Sequence, residues 1–332
     1  MPYAAKEKTA KTNFDNIKKV VANQMQAVED ELQQNASTIE IVNEISTHII
    51  SNGGKRLRPL IMILAAKSCG YQGDQHVKLA TILELIHAAT LLHDDVIDNS
   101  TKRRNKATAN FIWDNKLSIL AGDFIYAMSF QKMTSIKSME VLDILSSTTS
   151  YIVEGEIIQL TQNQKATISQ ADYLEVIDRK TAKLFSVAAK LGAVLGKKDQ
   201  NTIKHFAEFG TSFGKAYQIT NDIQDYSHNT EKTGKNICDD LKEGKPTLPF
   251  ILAYEDSSNE DKETLSSALE KGVNTEKVIY IINKNNSIQK SKIIAKKYIE
   301  QAKLHLNHSP NSIYKDALLT LCAYVEHLSE DL

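Results

Sequence analysis

Residues 75–98 read QHVKLATILELIHAATLLHDDVID, and they decide the fold. Apolar residues occupy much of the circumference of a helix drawn through this stretch. A helix of that kind belongs at the centre of a bundle rather than on its surface. At its C-terminal end Asp94 and Asp98 share one face, four residues apart, with Asp95 beside them. Lys102, Arg103 and Arg104 follow almost at once. The chain's formal net charge is only -1, so this sorting of sign is local.

Working outward, the chain has only 13 Gly and 5 Pro in 332 residues, too few turn formers for an all-β fold. Its apolar residues repeat mostly at three and four, which predicts an all-α protein. Phe14, Ile17, Val21, Met25, Val28 and Leu32 form one such stripe, ended by QQNAS. SNGGKRLRP at 51–59 reads as a loop: Gly53 and Gly54 permit unusual backbone angles, and Pro59 suits the first turn of the helix after it. That helix, LIMILAAKSCG, stops at Gly70. Further helices are expected at 116–134, 138–163, 170–196 and 199–227, then a charged loop at 227–247 and shorter amphipathic pieces. No internal repeat or linker is evident, so residues 1–332 are expected to form a single domain.

Composition narrows the function. A 42% hydrophobic chain of this length can bury a substantial core. The N-terminus has no signal-peptide core, and the longest apolar run, PLIMILAA at 59–66, is too short to cross a bilayer. A cytoplasmic protein without a membrane span is expected. A near-neutral charge with no long basic block gives no footprint for nucleic acid. Cys69, Cys238 and Cys322 are widely spaced and lack CxxC or His-rich company, so they read as buried free thiols rather than a disulfide framework or zinc site.

Carboxylates packed at the end of an apolar helix repel one another, and a hard divalent cation removes that cost. Oxygen-only ligands point to Mg²⁺, bound through one or two carboxylates together with phosphate oxygens. A lone DDxxD is more often a solvated acidic helix end. Here QITNDIQDY at 218–226 repeats the arrangement on a second helix, with Asp222 and Asp225 three apart. Two such helices can clamp a metal–phosphate cluster between them. Cations are at hand in Lys55, Arg56 and Arg58, in Arg103 and Arg104, and in Lys235 and Lys245. Together they exceed what one metal-neutralised diphosphate needs and imply a second polyphosphate. GGKRLRP lacks the GxxxxGK[ST] spacing and no strand precedes it, which argues against ATP or GTP.

GGKRLRP, LLHDDVIDNSTKRR, GDFIYAMSF, KTAKLFS, YQITNDIQDY and KTGKNICDDLKEGKPTLP occur in the order seen in the trans-polyprenyl diphosphate synthases, which this chain resembles. The resemblance implies one large helical bundle of the isoprenoid synthase type with a central catalytic cavity. It also implies head-to-tail condensation: an allylic diphosphate ionises, the double bond of isopentenyl diphosphate attacks the cation, and a proton is lost. On the matching positions, Asp94 and Asp98 resemble Mg²⁺ ligands with Asp95 in support, and Asp222 and Asp225 match the second metal motif. Arg103, Lys180, Lys235 and Lys245 look like allylic-diphosphate contacts. Lys55, Arg58, His87 and Arg104 look like the isopentenyl-diphosphate site, and Thr181 and Gln218 match polar groups that steady the carbocation. Two positions depart from the pattern. Asn221 stands where an aspartate is usual, and Asn105 replaces a Gly.

The family sets product length with the side chains five and four residues before the first aspartate, here Ala89 and Thr90. Both are small, so growth past farnesyl, to hexaprenyl or heptaprenyl, is expected, with Met128 or Phe130 on the next helix as the floor. Farnesyl and geranylgeranyl synthases are the alternatives within the family. A homodimer is the family expectation, and some bacterial relatives pair the catalytic chain with a small helical subunit. Terpene cyclases of the same fold bind one diphosphate, and Lys55, Arg58 and Arg104 argue against them.

Overall fold

The computed structural model describes residues 14–34, 37–226 and 238–330. Helices account for nearly all of its regular structure, as periodicity predicted. The first are α1 (Ala22–Gln33), α2 (Glu40–Ser51), α3 (Leu57–Ser68) and α4 (Gln75–Ile97). A two-stranded hairpin, β1 (Lys102–Arg103) and β2 (Lys106–Ala107), follows. Then come α5 (Ala109–Trp113), α6 (Asn115–Ser135), α7 (Met139–Gln162), α8 (Gln170–Ile177), α9 (Lys183–Leu195) and α10 (Gln200–Asp225). The remainder is α11 (Asp239–Lys242), α12 (Leu248–Asp256), α13 (Asn259–Lys271), α14 (Thr275–Lys284), α15 (Ser287–His305) and α16 (Ile313–Glu330).

Helix α4 is buried around most of its circumference, from Leu79 through Leu92, and packs against α1, α3, α6 and α9. Each buried Leu or Ile there contributes on the order of 1.5–3 kcal/mol over an exposed one. The N-terminal stripe is buried as expected, from Phe14 to Leu32, although a turn at Val21 divides residues 14–20 from α1. The main core joins α1–α4, α6, α7, α9, α10, α15 and α16, and two smaller clusters lie under α8 and α11–α15. Cys69, Cys238 and Cys322 are buried free thiols. Among the described residues no helix is long and apolar enough to cross a membrane.

The structure corrects one expectation and adds an element. The helix expected over 170–196 is not continuous: α8 and α9 are separated by a π-helical turn, Asp178–Ala182, in which the Lys183 N–H reaches back to the Asp178 carbonyl. Residues 91–108 also contain a β-hairpin that helical periodicity could not signal. Its two turn residues, Arg104 and Asn105, have φ of 53° and 62°. That is the left-handed pair of a type I′ turn, for which Asn is one of the better residues, so Asn105 fits where the family has Gly.

Candidate active site

The first aspartate cluster sits at the C-terminal end of α4, where the helix dipole disfavours negative charge. Cations from three other segments offset it. Lys245 Nζ lies 2.6 Å from Asp98 Oδ2 and 2.8 Å from Glu243 Oε2. Lys180 Nζ lies 4.0 Å from Asp94 Oδ2, pairs with Glu156 and donates to Gln159 Oε1 at 2.7 Å. Burial alone would lower the Lys245 ammonium's pKa, yet Asp98 and Glu243 hold it above its ordinary value. The Asp94 carboxyl is raised, chiefly by burial and further by Asp98, against the pull of Lys180 and Arg103.

Asp95 is placed differently from its two neighbours. It is 1% exposed, and its Oδ1 accepts from Arg103 Nε at 2.8 Å, with Nη2 of the same guanidinium also 2.8 Å away. Burial raises the Asp95 pKa while Arg103 opposes the rise. Its partner therefore holds the Arg103 guanidinium beside Asp94 and Asp98, and Asp95 faces that arginine rather than an open metal position.

Lys180 and Thr181 ride on the π-helical turn, a type of irregularity that often marks functional sites. Gly155 on α7 lets the turn come this close, since a Cβ there would stand 2.8 Å from the Lys180 backbone N and 2.6 Å from Arg179 Cβ. The next residue, Glu156, is held above the usual carboxylate range by burial and by Asp94, and its buried Oε1 has no hydrogen-bond partner among the described residues.

Helix α10 presents the second motif, and its two aspartates do different work. Asp222 is buried and accepts from Tyr173 Oη at 2.5 Å and Gln218 Nε2 at 2.7 Å. Burial and Asp222 together push the Tyr173 phenol well above its ordinary range, which keeps it a donor. Gln218 Oε1 in turn accepts from Thr181 Oγ1 at 3.1 Å. Asp225 instead accepts the backbone N–H groups of Asp239 and Asp240 at 3.1 and 3.2 Å, at the start of α11. Asn221 is half-buried. Gln159, Tyr173, Lys180, Gln218, Asp222 and Lys245 line one pocket, with Ile168, Val176 and Ile177 as its apolar wall.

A second, cationic cluster lies behind the hairpin. Arg104 Nη1 donates to the Gly53 carbonyl, and a Cβ on Gly54 would stand 2.6 Å from that nitrogen, so Gly54 makes room for the guanidinium. The Arg58 guanidinium lies 4.5 Å over the Phe185 ring, and its Nε is buried without a partner among the described residues. Lys55 Nζ is 5.2 and 5.9 Å from the Tyr324 and Tyr217 rings. The His87 imidazole is driven well below its ordinary pKa by burial and by Arg58, Arg104, Arg103 and Arg56, so it is neutral among cations. Arg56 is not available to a ligand in the same way: it bonds Glu29 at 2.8 Å, Glu84 at 2.7 Å and the Ile50 carbonyl at 2.7 Å. Lys235 lies outside the described residues.

Of the residues expected to set product length, Ala89 is fully buried on α4, and the Thr90 hydroxyl donates to the His87 carbonyl at 2.9 Å. Phe130 packs into the core with its ring 5.4 Å from that of Tyr126. Met128 is half-buried and outside that cluster. Sequence reasoning missed Glu156, Gln159, Tyr173 and Glu243. An acidic residue beside Gly155 in the apolar run VEGEIIQL was a legible signal for the first, whereas nothing near Tyr173 announces its partner 49 residues away.

An oxygen-only carboxylate set that includes an orphaned buried Glu156 oxygen fits a hard divalent cation. Lys55, Arg58 and Arg104, which form no salt bridge among the described residues, fit a second anion. Fold and site together define a prenyltransferase of the trans-polyprenyl diphosphate synthase class. The chain belongs to the polyprenyl synthetase family, whose model matches residues 39–284. It is 38% identical to octaprenyl diphosphate synthase of Escherichia coli (strain K12), over 93% of this chain and 97% of that protein. It is 32% identical to heptaprenyl diphosphate synthase component 2 of Bacillus subtilis (strain 168), over 90% of this chain and 86% of that one. The polyprenyl synthase of Caulobacter crescentus CB15, solved with calcium and isoprenyl diphosphate, superposes with a TM-score of 0.89 at 35% identity, covering 95% of this chain and 97% of that one.

Proposed function

We propose that this chain elongates an allylic diphosphate with isopentenyl diphosphate in the presence of Mg²⁺ and releases an all-trans product longer than farnesyl. The observation that carries the reading is the pair of oppositely charged clusters joined by one short segment, with carboxylates at 94–98 and Arg103 and Arg104 just beyond. When bound, Mg²⁺ would neutralise the departing diphosphate, held by Asp94 and Asp98 on one side and Asp222 on the other. Lys180 and Lys245, now ion-paired with Glu156 and Asp98, would exchange those partners for phosphate oxygens as charge develops. Arg103 is aimed by Asp95. The polar chain Thr181–Gln218–Asp222 presents oxygen dipoles to the allylic cation. Lys55, Arg58, Arg104 and neutral His87 would take the isopentenyl diphosphate.

Product length follows from the small Ala89 and Thr90, and the relatives' names, heptaprenyl and octaprenyl, support a long chain. A second copy of the chain is proposed to cover the exposed apolar side chains Phe111, Ile112, Ile119 and Leu120 and the exposed stripe Val153, Ile157 and Leu160 of α7. The Bacillus subtilis relative's designation as a component favours a second reading, in which a small partner is required. The deciding experiment incubates the purified chain with Mg²⁺, isopentenyl diphosphate and farnesyl diphosphate and sizes the products. A long prenyl diphosphate from the chain alone is expected, shortened by Ala89→Phe. Product only after a partner is added would select the second reading, and none under either condition would end both.

A further inference from the structure

Helix α10 carries a second cluster of ligating groups at the end opposite Asp222. His205 and Glu208 lie three residues apart on one face of α10, and His305 is the last residue of α15, which packs along it. The His205 and His305 Nδ1 atoms face each other at 3.2 Å. Glu208 Oε2 is 3.2 Å from His305 Nδ1 and 3.8 Å from His205 Nδ1. Ligands placed about 2.05 Å from a tetrahedral ion stand about 3.3 Å apart, so these three atoms already approximate one face of a zinc-type tetrahedron. The ring of His308, on the turn Leu306–His308, lies flat on that of His205 with centroids 3.5 Å apart and planes within 2°. That stacking restrains the His205 ring.

From this geometry we propose a transition-metal site of the zinc class, formed by His205, Glu208 and His305 with water at the open position, that staples the start of α10 to the end of α15. It is separate from the carboxylate centre: Asp222 lies 17 residues further along the same helix, about 25 Å at 1.5 Å per residue. The donor sets differ in kind as well, since imidazole nitrogen suits zinc, cobalt and nickel while an all-oxygen set suits magnesium. The His305 ring is also kept below its ordinary pKa by burial, and by His205 and His308 against Glu208, which favours its neutral, ligating form. Sequence spacing hid the site, because the two histidines are 100 residues apart and no CxxC or HxxxH accompanies them.

The test uses the full chain, stripped with a chelator, desalted and titrated with Zn²⁺ and with Co²⁺ in excess Mg²⁺, which occupies the aspartate centre. One equivalent bound, a visible tetrahedral cobalt band and a metal-dependent rise in Tm are expected. His205→Gln/His305→Gln and, separately, Glu208→Gln should each weaken binding by more than about tenfold, while the Mg²⁺-supported prenyl transfer stays unchanged. If no ion is retained, or if the substituted chains bind it as the unsubstituted one does, the cluster is only a hydrogen-bonded imidazole pair and the proposal is overturned.

Discussion

Among single residues, three adjacent-looking aspartates have separate jobs. Asp98 is paired with Lys245, Asp94 is the half-buried neighbour of Lys180 and Glu156, and Asp95 holds Arg103. Asp95→Asn keeps the shape but removes the charge that orders the guanidinium. Breaking a buried pair costs about 3–5 kcal/mol, and the cost here is smaller because the Arg103 side chain is 28% exposed. The variant is expected to lose about 2 kcal/mol of stability and to raise KM for the allylic diphosphate more than it changes KM for isopentenyl diphosphate. Steady-state kinetics with each substrate varied in turn checks this, and equal changes in both would show that Arg103 does not serve the allylic site. The residue types in LLHDDVIDNSTKRR, taken together with the second cluster in QITNDIQDY, were enough to suggest a metal–phosphate site. Which aspartate faces an arginine was not legible, because it depends on the hairpin that returns Arg103 over the helix end.

Among the secondary-structure elements, the helices were legible because long apolar stripes leave few alternatives. Expected spans such as 116–134 and 138–163 fall within two residues of α6 (Asn115–Ser135) and α7 (Met139–Gln162). The π-helical turn was not, since one extra residue in a helix alters no composition and only shifts the phase of the stripe. Its cause is across the interface, where Gly155 admits the turn that carries Lys180 and Thr181. Gly155→Ala puts a methyl group against backbone that cannot rotate away, and it must move the turn. A displacement near 1 Å costs about 100-fold in rate when it misaligns reacting groups. A fall in kcat of about 10–100-fold with the circular dichroism spectrum preserved is therefore expected. A fully active Gly155→Ala enzyme would show that the turn's position is not critical.

Across the molecule as a whole, a central helix buried on nearly every side must also bury its polar residues. His76 near the start of α4 is the clearest case: it is 3% exposed, both ring nitrogens lack partners among the described residues, and burial followed by Lys67 pulls its pKa down to about 4. An unfolded chain's histidine takes its proton near pH 6.5, while the native one stays neutral until about pH 4. Between those values the unfolded state binds more protons, so stability falls as pH falls, by at most about 1.4 kcal/mol per pH unit. Urea unfolding across this window should show that slope, and His76→Leu should flatten it. An unchanged slope would assign the loss to other groups.

The proposed chemistry rests on two separate anion sites in one cavity, and calorimetric binding distinguishes them. A non-ionisable farnesyl diphosphate analogue should bind only with Mg²⁺ and lose its affinity in Asp94→Asn/Asp98→Asn. Isopentenyl diphosphate should bind that variant normally and be lost instead in Arg58→Gln/Arg104→Gln. If both ligands lose affinity together in either variant, the cavity holds one diphosphate site and not two.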